Sequence, residues 1–296
     1  DRNGLTRGHR IELVFGERSR LSHCREWVRR PSRLRLHHVG IAAPGALDVH
    51  ALQVRPESCE VGTRPAEGER ASPRRVVLAE HVAGSEEAFA NLMNDHAHRL
   101  GMKDTHFTNA TGLPDPDHYT TPRDIAMVTE ATIREFPELY KMYAVKEFTF
   151  NDIRQHNRNN LLWRDKSVDG VKTGHTEAAG YCLVASAKRE GMRLISVVMG
   201  TESEKARLKE SQSLLNYGFR FFETRLLYKA GEEIARARVW KAADEYSPLG
   251  VMEDLYITVP RGAYDSLESV HNMPAVIEAP VATGQPLGEI KVSLGD

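Results

Sequence analysis

The use of basic residues changes abruptly near residue 75, and this break limits how much of the chain can form an ordinary folded domain. Residues 1–75 contain 15 Arg but no Lys, Met or Tyr, whereas residues 76–296 contain 14 Arg, 11 Lys, all 8 Met and all 9 Tyr. Lys is normally among the commonest residues of a soluble domain. The first 75 residues also lack a sustained helical or strand period of apolar residues. We therefore predict an anomalous Arg-rich segment at 1–75.

Two interpretations of this segment are open. The one we favour is translation in the wrong frame of a G+C-rich gene, because shifted codons of such a gene give Arg, Pro, Ala and Gly. The alternative is a disordered basic arm. Reading the underlying DNA in three frames decides between them.

Charge and composition exclude several kinds of partner. The formal net charge is -1 and the pI is about 7.0, so no overall field attracts nucleic acid or an anionic membrane. No run of 18 apolar residues is present. The three cysteines form no Cys-x-x-Cys pair, and no cofactor or metal site is predicted.

Two amphipathic helices are predicted after residue 75. Ser85 is a good N-cap, and Gly101 is placed to end the helix that follows it. Phe89, Leu92, Met93, His96 and Leu100 are spaced to form one buried stripe on that helix. A metal site involving His96 is not favoured, since no carboxylate or Cys completes a ligand set at useful spacing. A second helix begins near Pro122, where proline suits the first turn.

A hairpin and a further helix follow. Residues 181–187 and 192–199 are strand-like runs joined by a short polar segment, which predicts a β-hairpin. Ser203 is placed to cap the next helix. From about Leu226, short β-rich runs alternate with Gly, Pro and Asp turns. The pattern predicts a mixed α/β domain at 76–225 and a small all-β domain at 226–296.

The triplet Lys172-Thr173-Gly174 lies just before the hairpin. An edge strand there could pair with an extended peptide through its main chain. Gly174 would let that peptide approach closely, as a residue with a Cβ could not. Thr173 offers a hydroxyl and Lys172 a positive charge, which together suit a peptide that ends in a carboxylate.

Longer segments around this triplet resemble a known family. The triplet is similar to the third motif of penicillin-binding proteins and serine β-lactamases. Residues 168–200, with 106–128, 146–163 and 214–224, resemble the type 5/6 D-alanyl-D-alanine carboxypeptidases. The resemblance covers roughly residues 77–294. It implies an α/β penicillin-binding catalytic domain, incomplete in this chain, followed by a small β domain.

The resemblance also implies chemistry and location. A serine would attack the D-Ala-D-Ala amide of a peptidoglycan stem peptide, and β-lactams would acylate the same serine. Lys172, Thr173, Gly174 and Arg207 match substrate-binding positions, with Arg207 meeting the terminal carboxylate. His175 follows the triplet and is expected to line the cleft, with a packing role as the alternative. The implied location is the periplasm, peripheral to the inner membrane through an amphipathic C-terminal anchor that this sequence does not contain.

Two catalytic motifs of the family are missing from the sequence. No Ser stands three residues before any of the 11 lysines, and none stands two residues before any Asn. The nucleophile, the base and the Ser-x-Asn motif are therefore unassigned, and we expect this chain to be catalytically inert. The alternatives are a non-catalytic module that binds wall peptides or a class A β-lactamase, which shares the Lys172 triplet.

Overall fold

The computed structural model describes residues 39–42 and 73–294, which divide into two units. We call residues 39–42 and 73–220 the helix–sheet unit and residues 221–294 the β unit. The division lies close to the boundary expected between 225 and 226. Residues 1–38 and 43–72, which hold most of the anomalous segment, lie outside the described residues. Both interpretations of that segment therefore stay predictions.

The helices begin and end at residues suited to those positions. Ser85 caps α2 by accepting a hydrogen bond from the Ala88 amide, and Gly101 ends it with a φ of 80°. Thr121 caps α3 through the Asp124 amide, and the Ser203 side chain accepts from the Ala206 amide at the start of α6. The described helices are α1 (Pro73–Ala83), α2 (Glu86–Leu100), α3 (Pro122–Glu135), α4 (Pro137–Tyr140), α5 (Leu161–Arg164) and α6 (Glu204–Phe221).

The buried face of α2 differs from the predicted stripe. Leu92 is 38% exposed and His96 is exposed, whereas Ala90 and Ala97 are buried. Ala90 and Ala97 are two turns apart, and their small side chains face inward. The stripe prediction was therefore wrong for Leu92 and His96.

One antiparallel sheet forms the centre of the helix–sheet unit. Its strand order is β1-β6-β5-β4, from β1 (Val39–Ala42), β4 (Val168–Thr176), β5 (Gly180–Arg189) and β6 (Met192–Thr201). The predicted hairpin is confirmed, because Arg189 pairs with Met192 across a two-residue turn. A separate two-stranded ribbon joins β2 (Glu147–Phe150) to β3 (Ile153–His156).

Helices cover both faces of this sheet. Ile195 and Val197 on β6 pack with Ala126 of α3. Leu194 faces the opposite way and contacts α6 at Gly218, where a Cβ would lie only 2.4 Å from Leu194 Cδ1. The close approach explains why glycine stands at that point of the helix.

The β unit contains short strands in three small sheets. The sheets are β7–β10, β11–β13 and β12-β8-β9. Ile257, Val259 and Val292 form a buried cluster within the unit. The prediction of a small β-rich domain is confirmed. The strands are β7 (Phe222–Tyr228), β8 (Ala235–Trp240), β9 (Tyr246–Leu249), β10 (Leu255–Pro260), β11 (Leu267–Asn272), β12 (Val276–Glu278) and β13 (Glu289–Leu294).

No helix in the described part of the chain is both long and apolar enough to cross a lipid bilayer.

Candidate active site

Strand β4 is an edge strand of the described sheet. It pairs with β5 along one side, with Lys172 opposite Val184 and Gly174 opposite Cys182. None of the other described strands pairs with its second side. An edge of this kind presents main-chain donors and acceptors to an extended peptide. The sequence expectation of an edge strand that carries the triplet therefore agrees with the observed topology.

Side chains along β4 alternate between two environments. Lys172 and Gly174 are exposed, whereas Thr173 is buried to 9% exposure. Because successive residues of a strand point to opposite faces, Thr173 does not share a face with Lys172. The structure brings Lys172 and Gly174 together on the accessible face and leaves Thr173 largely covered.

Arg207 is a buried cation held against the main chain of β4. Arg207 is 4% exposed to solvent, and its Nη1 donates a hydrogen bond to the Gly174 carbonyl oxygen at 3.1 Å. Nη2 donates to a Glu204 carboxylate oxygen at 3.0 Å, one turn earlier on α6. A guanidinium has five N–H donors, so these two bonds leave donors for an anionic ligand.

His175 and Tyr181 form a ring pair beside Arg207. Their ring centroids are 4.0 Å apart, and they lie opposite each other in the β4–β5 register. The Arg207 guanidinium lies 5.4 Å from the centroid of the Tyr181 ring, within the range of a cation–π contact. Tyr181 therefore touches both predicted site residues and helps to orient them.

The positive charge around Lys172 is concentrated. Desolvation lowers the pKa of Lys172, and the nearby charges of Arg75, Arg158 and Arg207 lower it further. Like charges disfavour one another, so an anion bound near Lys172 would be favourable. We call Lys172, Arg75, Arg158 and Arg207 the cation cluster. Its charge suits a peptide carboxylate.

Asn159 links Arg158 to the start of β4. The Asn159 side chain is 1% exposed, and its Nδ2 donates to the Gly170 carbonyl oxygen at 2.9 Å. Its Oδ1 accepts from the Leu161 amide at 3.2 Å. A buried amide with both ends bonded fixes the loop firmly. The loop carrying Arg158 is thus attached to β4 two residues before Lys172.

A second buried network holds the same end of β4. The Tyr140 hydroxyl donates to Asp169 at 3.0 Å, and Asp169 pairs with Arg193 at 2.7 Å. Arg193 also donates to the Ser186 hydroxyl at 2.7 Å. Burial raises the pKa of Tyr140, so the phenol stays protonated and remains a donor. The network joins α4, β4, β5 and β6 below the site.

His96, which was considered for a metal site, and His106 both have other contacts. His96 Nδ1 lies 2.7 Å from an Arg99 nitrogen, and His106 Nδ1 lies 2.7 Å from the Asp117 carbonyl oxygen. Within residues 39–42 and 73–294, no group of three or more His, Cys, Asp or Glu side chains is placed to hold a metal ion.

Sequence reasoning did not single out Arg158, Asn159 or Tyr181. Each lies in a segment that carried the family resemblance, at 146–163 or 168–200, but none has a signature of its own. Their roles arise from contacts that form only in the folded chain, and the spacing of residues along the sequence does not reveal these contacts. His175, Arg207 and the triplet, by contrast, were all named from sequence, and the structure groups them around β4.

Comparison with known proteins agrees with this fold. The D-alanyl-D-alanine carboxypeptidase family matches residues 69–203, and the penicillin-binding protein 5 C-terminal domain matches residues 222–296. D-alanyl-D-alanine carboxypeptidase DacA of Escherichia coli is 46% identical over 221 residues, which is 74% of this chain and 55% of that protein.

Solved structures give the same result. Penicillin-binding protein 5 from Haemophilus influenzae is 44% identical with a TM-score of 0.66, over 74% of this chain and 64% of that one. The carboxypeptidase DacD from Francisella tularensis is 33% identical with a TM-score of 0.56, over 75% and 67% respectively. The chain belongs to the D-alanyl-D-alanine carboxypeptidase family of low-molecular-weight penicillin-binding proteins. It spans about half the length of the curated relatives that it matches.

Proposed function

We propose that this chain is the peptide-recognising part of a serine D-Ala-D-Ala carboxypeptidase that acts on peptidoglycan stem peptides. The observation that carries the proposal is the cation cluster beside the open edge of β4. An extended peptide pairs with the edge, and its terminal carboxylate lies among Lys172, Arg158 and Arg207. The names of the relatives support a substrate that ends in D-Ala-D-Ala.

The reaction of such an enzyme has two acyl transfers. A serine Oγ attacks the carbonyl carbon between the two D-alanines while a base accepts its proton. The C–N bond breaks, and the terminal D-alanine leaves with that proton on its amine. Water then attacks the ester, which releases the shortened peptide and restores the serine. A β-lactam would acylate the same serine as its ring amide opens.

The part that this chain plays is binding and orientation. Arg207 fixes the carboxylate, Lys172 adds charge, and Gly174 leaves room for the substrate main chain. The 296 residues contain no Ser-x-x-Lys and no Ser-x-Asn. We therefore infer that the chain as printed binds the peptide without hydrolysing it, which is the behaviour expected of the non-catalytic alternative. The whole protein would work in the periplasm, at the inner membrane.

Calorimetric titration with an acyl-D-Ala-D-Ala peptide tests this function. The control ligand is the same peptide with a C-terminal amide, which keeps the main chain but removes the negative charge. We expect saturable binding of the acid and at least about tenfold weaker binding of the amide. Equal affinities, or no saturable binding of the acid, would remove the proposal.

A further inference from the structure

The outer face of sheet β12-β8-β9 in the β unit carries large exposed aromatic side chains. Trp240 is 59% exposed and Tyr246 is 54% exposed, and Val276 beside them is 55% exposed. Arg238 pairs with Tyr246 on one side and with Val276 on the other. We call Trp240, Tyr246, Val276, Arg236 and Arg238 the aromatic face. A contiguous exposed patch of large side chains, unlike a single exposed residue, is typical of an interaction surface.

The strand register places these groups on one side of the sheet. Along β8, Arg236, Arg238 and Trp240 are exposed while Ala237 is buried. Tyr246 lies opposite Arg238, so Trp240 is its diagonal neighbour across the strand pair. Diagonal neighbours in an antiparallel pair are about 7–8 Å apart. The register therefore places Trp240 and Tyr246 on the same face of the sheet as Arg236 and Arg238.

The charges of this surface are balanced in pairs. Each cation has its own carboxylate, so the aromatic face offers donors and acceptors without a net positive field. The pairs are Arg236 with Glu233 at 2.6 Å, Arg238 with Glu245 at 3.5 Å, and Lys241 with Glu278. A surface that bound an anionic bilayer would be expected to carry unpaired cations. The charge balance therefore favours an uncharged, hydroxyl-rich ligand.

We propose that the aromatic face binds the glycan strand of the cell wall. The apolar C–H face of a pyranose ring stacks on Trp240 and Tyr246, as apolar surface does on an aromatic ring. The sugar hydroxyls and N-acetyl groups exchange hydrogen bonds with Arg238 and with the carboxylate that pairs with it. The choice of this glycan rests on the proposed function, because stem peptides are attached to it. The contact would hold the protein on the polymer that carries its substrate.

Titration of the full 296-residue chain with a β-1,4-linked hexamer of N-acetylglucosamine tests the proposal by calorimetry. We expect saturable binding that changes little with salt, since the ligand is uncharged. Trp240→Ala and Tyr246→Ala should each lose about tenfold or more in affinity. Trp163→Ala is the matched control. Trp163 is also an exposed tryptophan, with 43% exposure, but it belongs to the helix–sheet unit. This variant should bind the hexamer as the parent chain does.

The outcomes separate this proposal from the proposed function. Lys172→Ala should bind the hexamer normally while it loses affinity for the acyl-D-Ala-D-Ala peptide. Hexamer binding that survives in Trp240→Ala, or no hexamer binding by the parent chain, overturns the glycan assignment. Vesicles of phosphatidylglycerol and phosphatidylethanolamine are the third ligand. Trp240-dependent binding to vesicles without binding to the hexamer would mark a membrane surface instead and would also overturn it.

Discussion

Arg207 donates a hydrogen bond from Nη1 to the main-chain oxygen of Gly174, 3.1 Å away. The bond ties a buried guanidinium on α6 to the strand that carries the family triplet. The bond fixes a positive charge beside Gly174, which has no Cβ. The guanidinium and the room for an approaching main chain therefore lie at the same point of β4. This arrangement suits a peptide that ends in a carboxylate.

Replacement of Arg207 by lysine should weaken peptide binding even though the positive charge is kept. We expect Arg207→Lys to lower the affinity for acyl-D-Ala-D-Ala by about tenfold, because an ammonium cannot span Gly174, Glu204 and a carboxylate as a guanidinium does. Lys205→Met, in the same turn of α6 and exposed, is a control that removes one full charge. If the control loses as much affinity as Arg207→Lys, the role given to Arg207 is wrong.

A methyl group at Gly174 should block the site and leave the fold intact. A Cβ there would lie 3.7 Å from Cys182 Cβ, an ordinary contact, but it would project from the exposed face of β4. We expect Gly174→Ala to keep its melting temperature and to lose peptide affinity by about tenfold or more.

Gly170→Ala is the contrasting variant. A Cβ at Gly170 would lie 2.6 Å from the buried Tyr140 hydroxyl oxygen, so Tyr140 must move from Asp169. We expect a loss of about 1–3 kcal/mol in the free energy of unfolding, measured in urea. A Gly174→Ala variant as unstable as Gly170→Ala would contradict the distinction between binding space and packing.

The lowered pKa of Lys172 predicts a pH dependence of peptide binding. The protonated amine attracts the carboxylate, so binding is present below the pKa of Lys172 and is lost as the pH rises through it. Because desolvation and the neighbouring cations depress that pKa, the loss should begin below the value of about 10.4 of a free lysine. The measurement is peptide affinity between pH 7 and the highest pH at which circular dichroism shows the native fold.

Lys172→Arg is the matched variant for this profile. Arginine stays charged throughout that range, so the alkaline loss of affinity should disappear. An unchanged alkaline loss in Lys172→Arg would assign the titration to another group.

Asp165 should stabilise the helix–sheet unit above pH 4. Burial opposes its charge, but hydrogen bonds from Ser167, Gln212 and Arg189 outweigh burial and lower the pKa of Asp165 to about 2. A carboxyl with a depressed folded-state pKa stabilises the fold above its unfolded pKa of about 3.9, and that contribution is lost as the pH falls from about 4 to about 2.

Asp165→Asn tests this contribution. We expect the free energy of unfolding to fall by about 1 kcal/mol at pH 7. This is less than the loss of a fully buried ion pair would cost, because Arg189 is partly exposed to water. The difference from the parent chain should shrink below pH 4. Asp152→Asn, at an exposed position, is the control. A deficit that stays constant down to pH 2 would show that the effect is not electrostatic.

The parts of the fold that sequence predicted are those with local causes. Ser85 and Ser203 cap their helices as expected, because a cap needs only the residue and its next few amides. The hairpin is similarly local, since Glu190 and Gly191 both have positive φ in a two-residue turn.

The parts that sequence missed depend on distant contacts. The buried face of α2 follows Ala90 and Ala97 because small side chains allow close packing, while Leu92 is left exposed. Thr173 offers a hydroxyl by sequence, whereas the structure buries the residue, so its part in peptide binding stays a prediction. Asn159, next to Arg158 in the chain, bonds to Gly170 in β4, a link that no motif predicts.

Covalent labelling by penicillin tests the central claim most directly. The 296-residue chain is incubated with benzylpenicillin, and its intact mass is measured. A reconstructed chain that carries Ser-x-x-Lys and Ser-x-Asn upstream of residue 76 is the positive control. We predict one penicilloyl adduct on the reconstruction, which should also release D-alanine from a pentapeptide, and no adduct on the printed chain. A stoichiometric adduct on the printed chain would show that it contains a nucleophile outside the family motifs and would contradict this account.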